Sequence, residues 1–206
     1  EEPAAPVEVN YAAGKKYTVQ SSNEDGVPVY CGSNIDEGNF LTDGVLKGKM
    51  AGFGQVEYQG SAIAHTITLN LGTKRTDIDK IVFAGSRIDG NRQFANVTIE
   101  VSTNGKTFKK VDAVRTEVAL EEAPLFDVVF DFESDVTAKY VRLTCANTNY
   151  VFSTSEIQVI GYGAEAGDDV NPGENENPGD AGFVVVAVVA MISLAGAVIV
   201  SKKRFN

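Results

Sequence analysis

The chain has 206 residues, 43% of them hydrophobic, enough for one ordinary globular domain with appendages. Its formal net charge is −10 at pH 7, from 28 Asp and Glu against 18 Lys and Arg, so no long basic surface is available to condense on phosphates and nucleic acid is excluded as a partner. Two cysteines are few for a disulfide scaffold and lack the paired spacing of a zinc site.

The chain opens Glu1-Glu-Pro-Ala-Ala-Pro6 without an initiator Met, the form left when a secretory leader has been cut off. Cys31 and Cys145 have two readings: one bridge outside the cell, or two separate buried thiols. The bridge would stabilise by up to roughly 4 to 5 kcal/mol in the chain-entropy model. Between them comes "DEGNFLTDGV", residues 36–45, with three carboxylates (Asp36, Glu37, Asp43) and two glycines before the first long apolar segment. A loop with little side-chain bulk can turn its carbonyls inward toward a hard dication, which takes six to eight oxygens. The plainer alternative is that these acids cap turns. "GKMAGFG" at Gly48 to Gly54 lacks the Gly-Lys-Ser/Thr ending and the strand-to-helix setting of a phosphate loop.

Strands follow. Ile63, His65, Ile67, Leu69 and Leu71 share one parity, with Thr66, Thr68 and Asn70 on the other, so one face is buried. His65 therefore reads as a core histidine rather than a general base. Val97, Ile99 and Val101 repeat the pattern; Asn104-Gly105 then predicts a hairpin that returns over Lys106 to Val111. Phe126, Val128, Phe130 and Phe132 form another inward row, Val141, Leu143 and Cys145 one more, and Ile157 with Val159 close the domain. No window carries a helical apolar stripe. Many short half-buried strands between Gly, Asn and Asp turns predict an all-β fold, a β-sandwich of jelly-roll type.

Residues 164–180 carry Glu165, Asp168, Asp169, Glu174, Glu176 and Asp180 among Pro, Gly and Asn, with no basic residue, and read as a disordered spacer. The uncharged run from Ala181 to Val200 has about the length at which a helix crosses a hydrocarbon core roughly 30 Å thick. Lys202-Lys-Arg204 would hold the tail in the cytoplasm and place the amino-terminal part outside. The expected organisation is an ectodomain at 1–163, a linker at 164–180, a transmembrane helix at 181–201 and a basic tail at 202–206. A bacterial sortase signal would carry Thr at its cleavage point; Asn177-Pro-Gly-Asp180 offers none, which favours a plain anchor at the cell surface.

"GKKYTV", "LTDG" (41–44), "HTITLNLG" (65–72), "VTIEVSTNGKTFKKV" (97–111), "AKYVRLT" (138–144) and "SEIQVIGY" (155–162) occur in this order. The series, over about Val9 to Tyr162, resembles the discoidin or coagulation factor V/VIII type C domains and the related family-32 carbohydrate-binding modules of bacterial surface proteins. The resemblance implies an eight-stranded, galactose-binding-domain-like jelly roll with a structural calcium ion joining the two ends of the domain. Carried over position by position, it makes Asp43 and Glu156 the carboxylate ligands and Gly44 the tight turn, with Asp36 a further candidate. It also implies a ligand site on loops at one end of the sandwich, where an aromatic ring stacks on a sugar and Arg or Asn bond its hydroxyls. In this chain the corresponding residues are Tyr30, Arg87, Asn91, Arg92, Asn149 and Tyr150, with Tyr150 the preferred platform.

The expected function is a non-enzymatic, calcium-containing surface module that binds glycans or is otherwise adhesive, anchored in the membrane by its C-terminal helix. The chain has no Trp, the aromatic that many sugar-binding relatives place in the site. That leaves open a structural or surface-protein-binding component with the same fold and no sugar site. Hydrolytic machinery is hard to assemble: there is one His and no Gly-x-Ser-x-Gly elbow, and the acidic loop, which could in principle supply one of the two facing carboxylates of a glycosidase, has a glycine-rich context that suits ion binding instead.

Overall fold

A computed structural model describes residues 7–22, 25–27, 40–46, 50–53, 63–88, 94–146 and 152–163. The chain partitions between Gly167 and Asp168, and every described residue lies in the first part. Its strands are β1 (Val9–Asn10), β2 (Tyr17–Ser21), β3 (Ala51–Phe53), β4 (Ala64–Arg87), β5 (Asn96–Ser102), β6 (Lys109–Val111), β7 (Ala113–Ala119), β8 (Leu125–Ala146), β9 (Phe152–Thr154) and β10 (Glu156–Gly161). One 3₁₀ turn, Phe40–Thr42, is the sole helical element among the described residues.

Two strands organise the rest. β4 and β8 run antiparallel over most of their lengths, with register shifts between Asn70 and Lys80 where the pair bends. The first part of β4 pairs with β2, and the facing part of β8 pairs with β5, which is extended by β6. Beyond the bend, β4 pairs with β10 and β8 with β7, while β1 lies on the outer side of β10. A single hydrogen-bonded sheet of eight strands thus supplies both layers of a sandwich, because irregularities in a ladder let strands turn a corner. β3 and β9 form a separate two-stranded sheet. Sequence patterning predicts 63–71 as a strand of its own and separates 126–132 from 141–145; in the structure each belongs to one continuous, bent strand. Alternation is lost at the corner, where Gly72 to Asp77 stay at least partly exposed, and a period-two reading stops there.

The core follows the expected parity. Ile67, Leu69, Leu71, Val141, Leu143 and Ile99 meet Ile81, Phe83, Val128, Phe130, Ile157 and Val159 in one buried cluster. Phe126 and Val97 are only partly buried, at the margins of their rows. His65 is buried as expected; its Nδ1 lies 2.9 Å from the Ser21 hydroxyl and its ring stands edge-on to Phe152. Cys145 is a buried free thiol whose pKa is raised by burial; Cys31, the other half of the expected bridge, lies outside the described residues.

The hairpin at Asn104-Gly105 forms, but its return strand begins at Lys109 rather than Lys106. The reason is local. Asn104 Oδ1 accepts from the Lys106 and Thr107 amides at 2.9 and 3.0 Å, and Ser102 Oγ accepts from the Asn104 and Gly105 amides. Side chains thereby take amides that a two-residue turn would have left to the ladder.

No helix among the described residues is long and apolar enough to cross a membrane; the run 181–200, the linker and the basic tail lie outside them.

Candidate functional site

Four segments converge at the amino-terminal end of β10. The Phe40–Thr42 turn buries Leu41 in the core and fixes its own exit through Thr42 Oγ1, which donates to the Lys15 carbonyl at 2.7 Å. Directly after it, Asp43 Oδ1 accepts from the Val45 amide at 2.8 Å, so Asp43 does cap a turn. Gly44 has φ +83°, a conformation that favours glycine, and its amide donates to Glu156 Oε1 at 3.1 Å across 112 positions of sequence. Ser155 fastens the same junction: its hydroxyl lies 2.7 Å from the Leu46 carbonyl and 2.9 Å from that of Ala84. Gly85, at φ +59°, donates to Asp127 Oδ1 at 2.9 Å, and a Cβ there would collide with Ser155 Oγ and stand 2.9 Å from the Leu46 carbonyl oxygen, so only glycine fits.

Glu156 is fully buried, and its Oε2 has no hydrogen-bond partner. Burial pushes the carboxyl up to about 8; the Asp43 charge adds to the rise, while the Gly44 and Asp43 amides oppose it. Asp127 is also raised by burial, against the Gly85 amide. A buried acceptor without a donor, beside a second carboxylate, is an environment that a hard dication relieves. Glu156 and Asp43 therefore fit a cation. Among the described residues no group of three or more His, Cys, Asp or Glu side chains that could hold a metal ion assembles. Asp36 lies outside the described residues.

At the loop-bearing end, Arg87 is the last residue of β4, half-buried and opposite Leu125. The predicted ligand residues Tyr30, Asn91, Arg92, Asn149 and Tyr150 lie outside the described residues. The stems of two of their loops are described. Phe94 and Phe152 meet with ring centroids 6.0 Å apart, and Phe94 also packs edge-on against Phe83 at 5.0 Å. The residues that follow 89–93 and 147–151 thus both enter one aromatic cluster. Phe152 itself is buried and plugs the core, so its ring offers no stacking face.

One polar surface escapes the sequence reading. On the outer face of the sheet formed by β2, β4, β8 and β5, a shallow hollow of about 430 Å³ is lined by Gln20, Thr66 and Thr144, which share a row, and by Thr68, Arg142 and Glu100 in the next. Arg142 donates through Nε and Nη2 to both Glu100 oxygens at 2.9 Å, and its guanidinium lies 4.0 Å from the Phe108 ring centre. Alternation marks these residues as outward but gives no hint that they form a concavity.

A family model for the F5/8 type C domain matches residues 18–157. No curated protein matches the chain. Similar solved structures include the family 32 CBM of Clostridium perfringens NanJ in complex with galactose, at 19% identity, covering 75% of this chain and 99% of that one, with a TM-score of 0.49. The C-terminal domain of a chitobiase from Bacteroides fragilis is similar at 17% identity, covering 75% and 97%, with a TM-score of 0.48. Chitosan-binding module 1 of a chitosanase/glucanase from Paenibacillus sp. IK-5 is similar at 22%, covering 74% and 99%, with a TM-score of 0.44.

Proposed function

The chain belongs to the F5/8 type C domain family, and on that premise we propose that it is a non-catalytic binding module that recognises carbohydrate through the loops at one end of its sandwich. The observation that carries this reading is the construction of that end. Phe94 and Phe152 lock the stems of two loops to the core, and Arg87 stands on the rigid end of a central strand. Loops set on a rigid scaffold can vary in sequence without loss of the fold, the usual setting for recognition. Arg87 would supply a planar donor for adjacent hydroxyls, with Arg92, Asn91 and Asn149 as further partners and the rings of Tyr150 and Tyr30 as stacking faces.

A structural calcium ion belongs to the same proposal. Asp43 and Glu156 would hold it, with Asp36 a further ligand, and the support is the orphaned Glu156 Oε2 beside Asp43. The ion would supply no chemistry beyond charge neutralisation and cross-linking of distant segments, so that its binding free energy becomes folding free energy. The apolar run 181–200 would tether the module to a cell surface, where many copies compensate for weak single sites.

The second reading, a protein-binding or structural component without a sugar site, draws on the absence of Trp and on the burial of Phe152. A glycan array probed with the full chain separates the two. Selective binding to one group of sugars, weakened by about ten-fold in Arg87→Ala as expected for a lost charge-assisted hydrogen bond, supports recognition of carbohydrate. Silence across the array, or binding indifferent to both Arg87→Ala and Tyr150→Ala, removes it.

A further inference from the structure

The seven residues of β7, Ala113-Val-Arg-Thr-Glu-Val-Ala119, are symmetric about Thr116 in shape and antisymmetric in charge. This strand hydrogen-bonds to β8, and no second strand pairs with it among the described residues. Residues 114–119 are exposed, including Val114 at 69% and Val118 at 44%. Sheet edges are normally blunted by proline, a bulge or charged side chains, because a free row of amides and carbonyls templates another strand. β7 has no proline or bulge, and its register with β8 is unbroken from Ala113 opposite Phe132 to Ala119 opposite Phe126. Its two charges, Arg115, which lies 5.1 Å from the Phe94 ring centre, and Glu117, are of opposite sign and would repel a strand that does not match them.

The direction of its free backbone groups can be read from one bond. Leu120 continues the same register, and its amide donates to the carbonyl of Leu125 directly opposite, at 2.9 Å. Antiparallel pairs alternate, so Val114, Thr116 and Val118 turn their amides and carbonyls toward β8, and Ala113, Arg115, Glu117 and Ala119 turn theirs outward.

We propose that β7 joins two copies of this chain edge to edge, antiparallel, about a two-fold axis through Thr116. In that register each outward group meets an outward group. Arg115 lies opposite Glu117 of the second copy, and Glu117 opposite its Arg115, so the charged pair already present in each strand joins its counterpart in an alternating square. Ala113 meets Ala119. On the other face Val114 meets Val118 twice, on either side of a Thr116 pair, and four exposed valines leave water together. The nearest registers that also match outward groups, centred on Arg115 or on Glu117, set like charges directly opposite, which is destabilising. Charge therefore selects both the register and the occupant: a strand of unrelated sequence would not answer Arg115 and Glu117 in reverse order, whereas a second copy does so by symmetry.

The full chain in a mild non-ionic detergent, examined by sedimentation over a wide concentration range, tests this. A dimer is expected. Arg115→Glu alone and Glu117→Arg alone each weaken it by at least about ten-fold through like-charge opposition, and an equimolar mixture of the two variants recovers it, because each then supplies the other's missing complement. Thr116→Cys in a Cys31→Ser background should cross-link under mild oxidation, since non-hydrogen-bonded antiparallel partners lie about 4.5 Å apart at Cα, within disulfide reach. The buried Cys145 does not compete. A monomer at every concentration overturns the proposal. So does association that both charge variants leave unchanged, which would assign it to another surface and leave this edge to a strand of some other protein.

Discussion

Glu156 poses the sharpest energetic problem in the molecule. A carboxylate taken out of water must be protonated, hydrogen-bonded at both oxygens, or paired with a cation. Here one oxygen has a donor and the other has none. Without metal the group is expected to hold its proton to about pH 8, against an ordinary value of 4.5. The folded state then binds more protons than the unfolded state between those values, so stability is greatest at low pH and falls as pH rises through the window. In chelator, urea unfolding should show a loss of a few kcal/mol between pH 5 and pH 8, and Glu156→Gln should flatten that slope. A wild-type stability that instead rises with pH in chelator would show that Glu156 is already ionised and partnered by the protein itself. Little of this was legible in residue pattern. Alternation along β10 aligns Glu156 with the partly exposed Gln158; its burial comes from the 43–46 segment folding over it, which only the ordered motifs "LTDG" and "SEIQV" anticipated.

Among the elements, the β5–β6 hairpin shows how far local chemistry can move a boundary. Asn104 and Ser102 hold the turn through side-chain bonds to four amides. Replacing Asn104 with Ala should cost about 1 kcal/mol, the net worth of such bonds where water can substitute. The amides of Lys106 and Thr107 should then exchange faster while the core strands keep their protection; unchanged exchange at those two amides would contradict the assignment. The dipeptide Asn104-Gly105 located the turn correctly because Gly105 takes a positive φ, but it could not set the length of the loop, since Ser102 lies outside the two residues that such a signal weighs. The long strands failed differently. Buried rows at 67–71 and 81–83 are visible as parity, yet nothing in the polar stretch between Gly72 and Asp77 distinguishes a bent strand from a connecting loop.

For the whole molecule, the first and last strands are already paired through β1 and β10, and Asn10 Oδ1 reinforces them by accepting from the Ala12 and Val159 amides. The Asp43–Glu156 junction is a second closure, which the proposed ion would strengthen. All-β architecture, core faces and the buried His65 could be read from the chain because burial of one sheet face imposes a period of two. Ligand specificity could not, because at the proposed site it would depend on a few loop side chains whose positions no periodicity constrains. The most direct test is thermal unfolding of the full chain in calcium and in a strong chelator. With free calcium about 100-fold above its dissociation constant, linkage gives about 2.7 kcal/mol. A domain of this size should then melt roughly 5 to 10 °C higher in calcium, and Asp43→Ala and Glu156→Ala should each abolish the difference. Coincident melting curves for the wild-type chain in the two conditions would contradict the account.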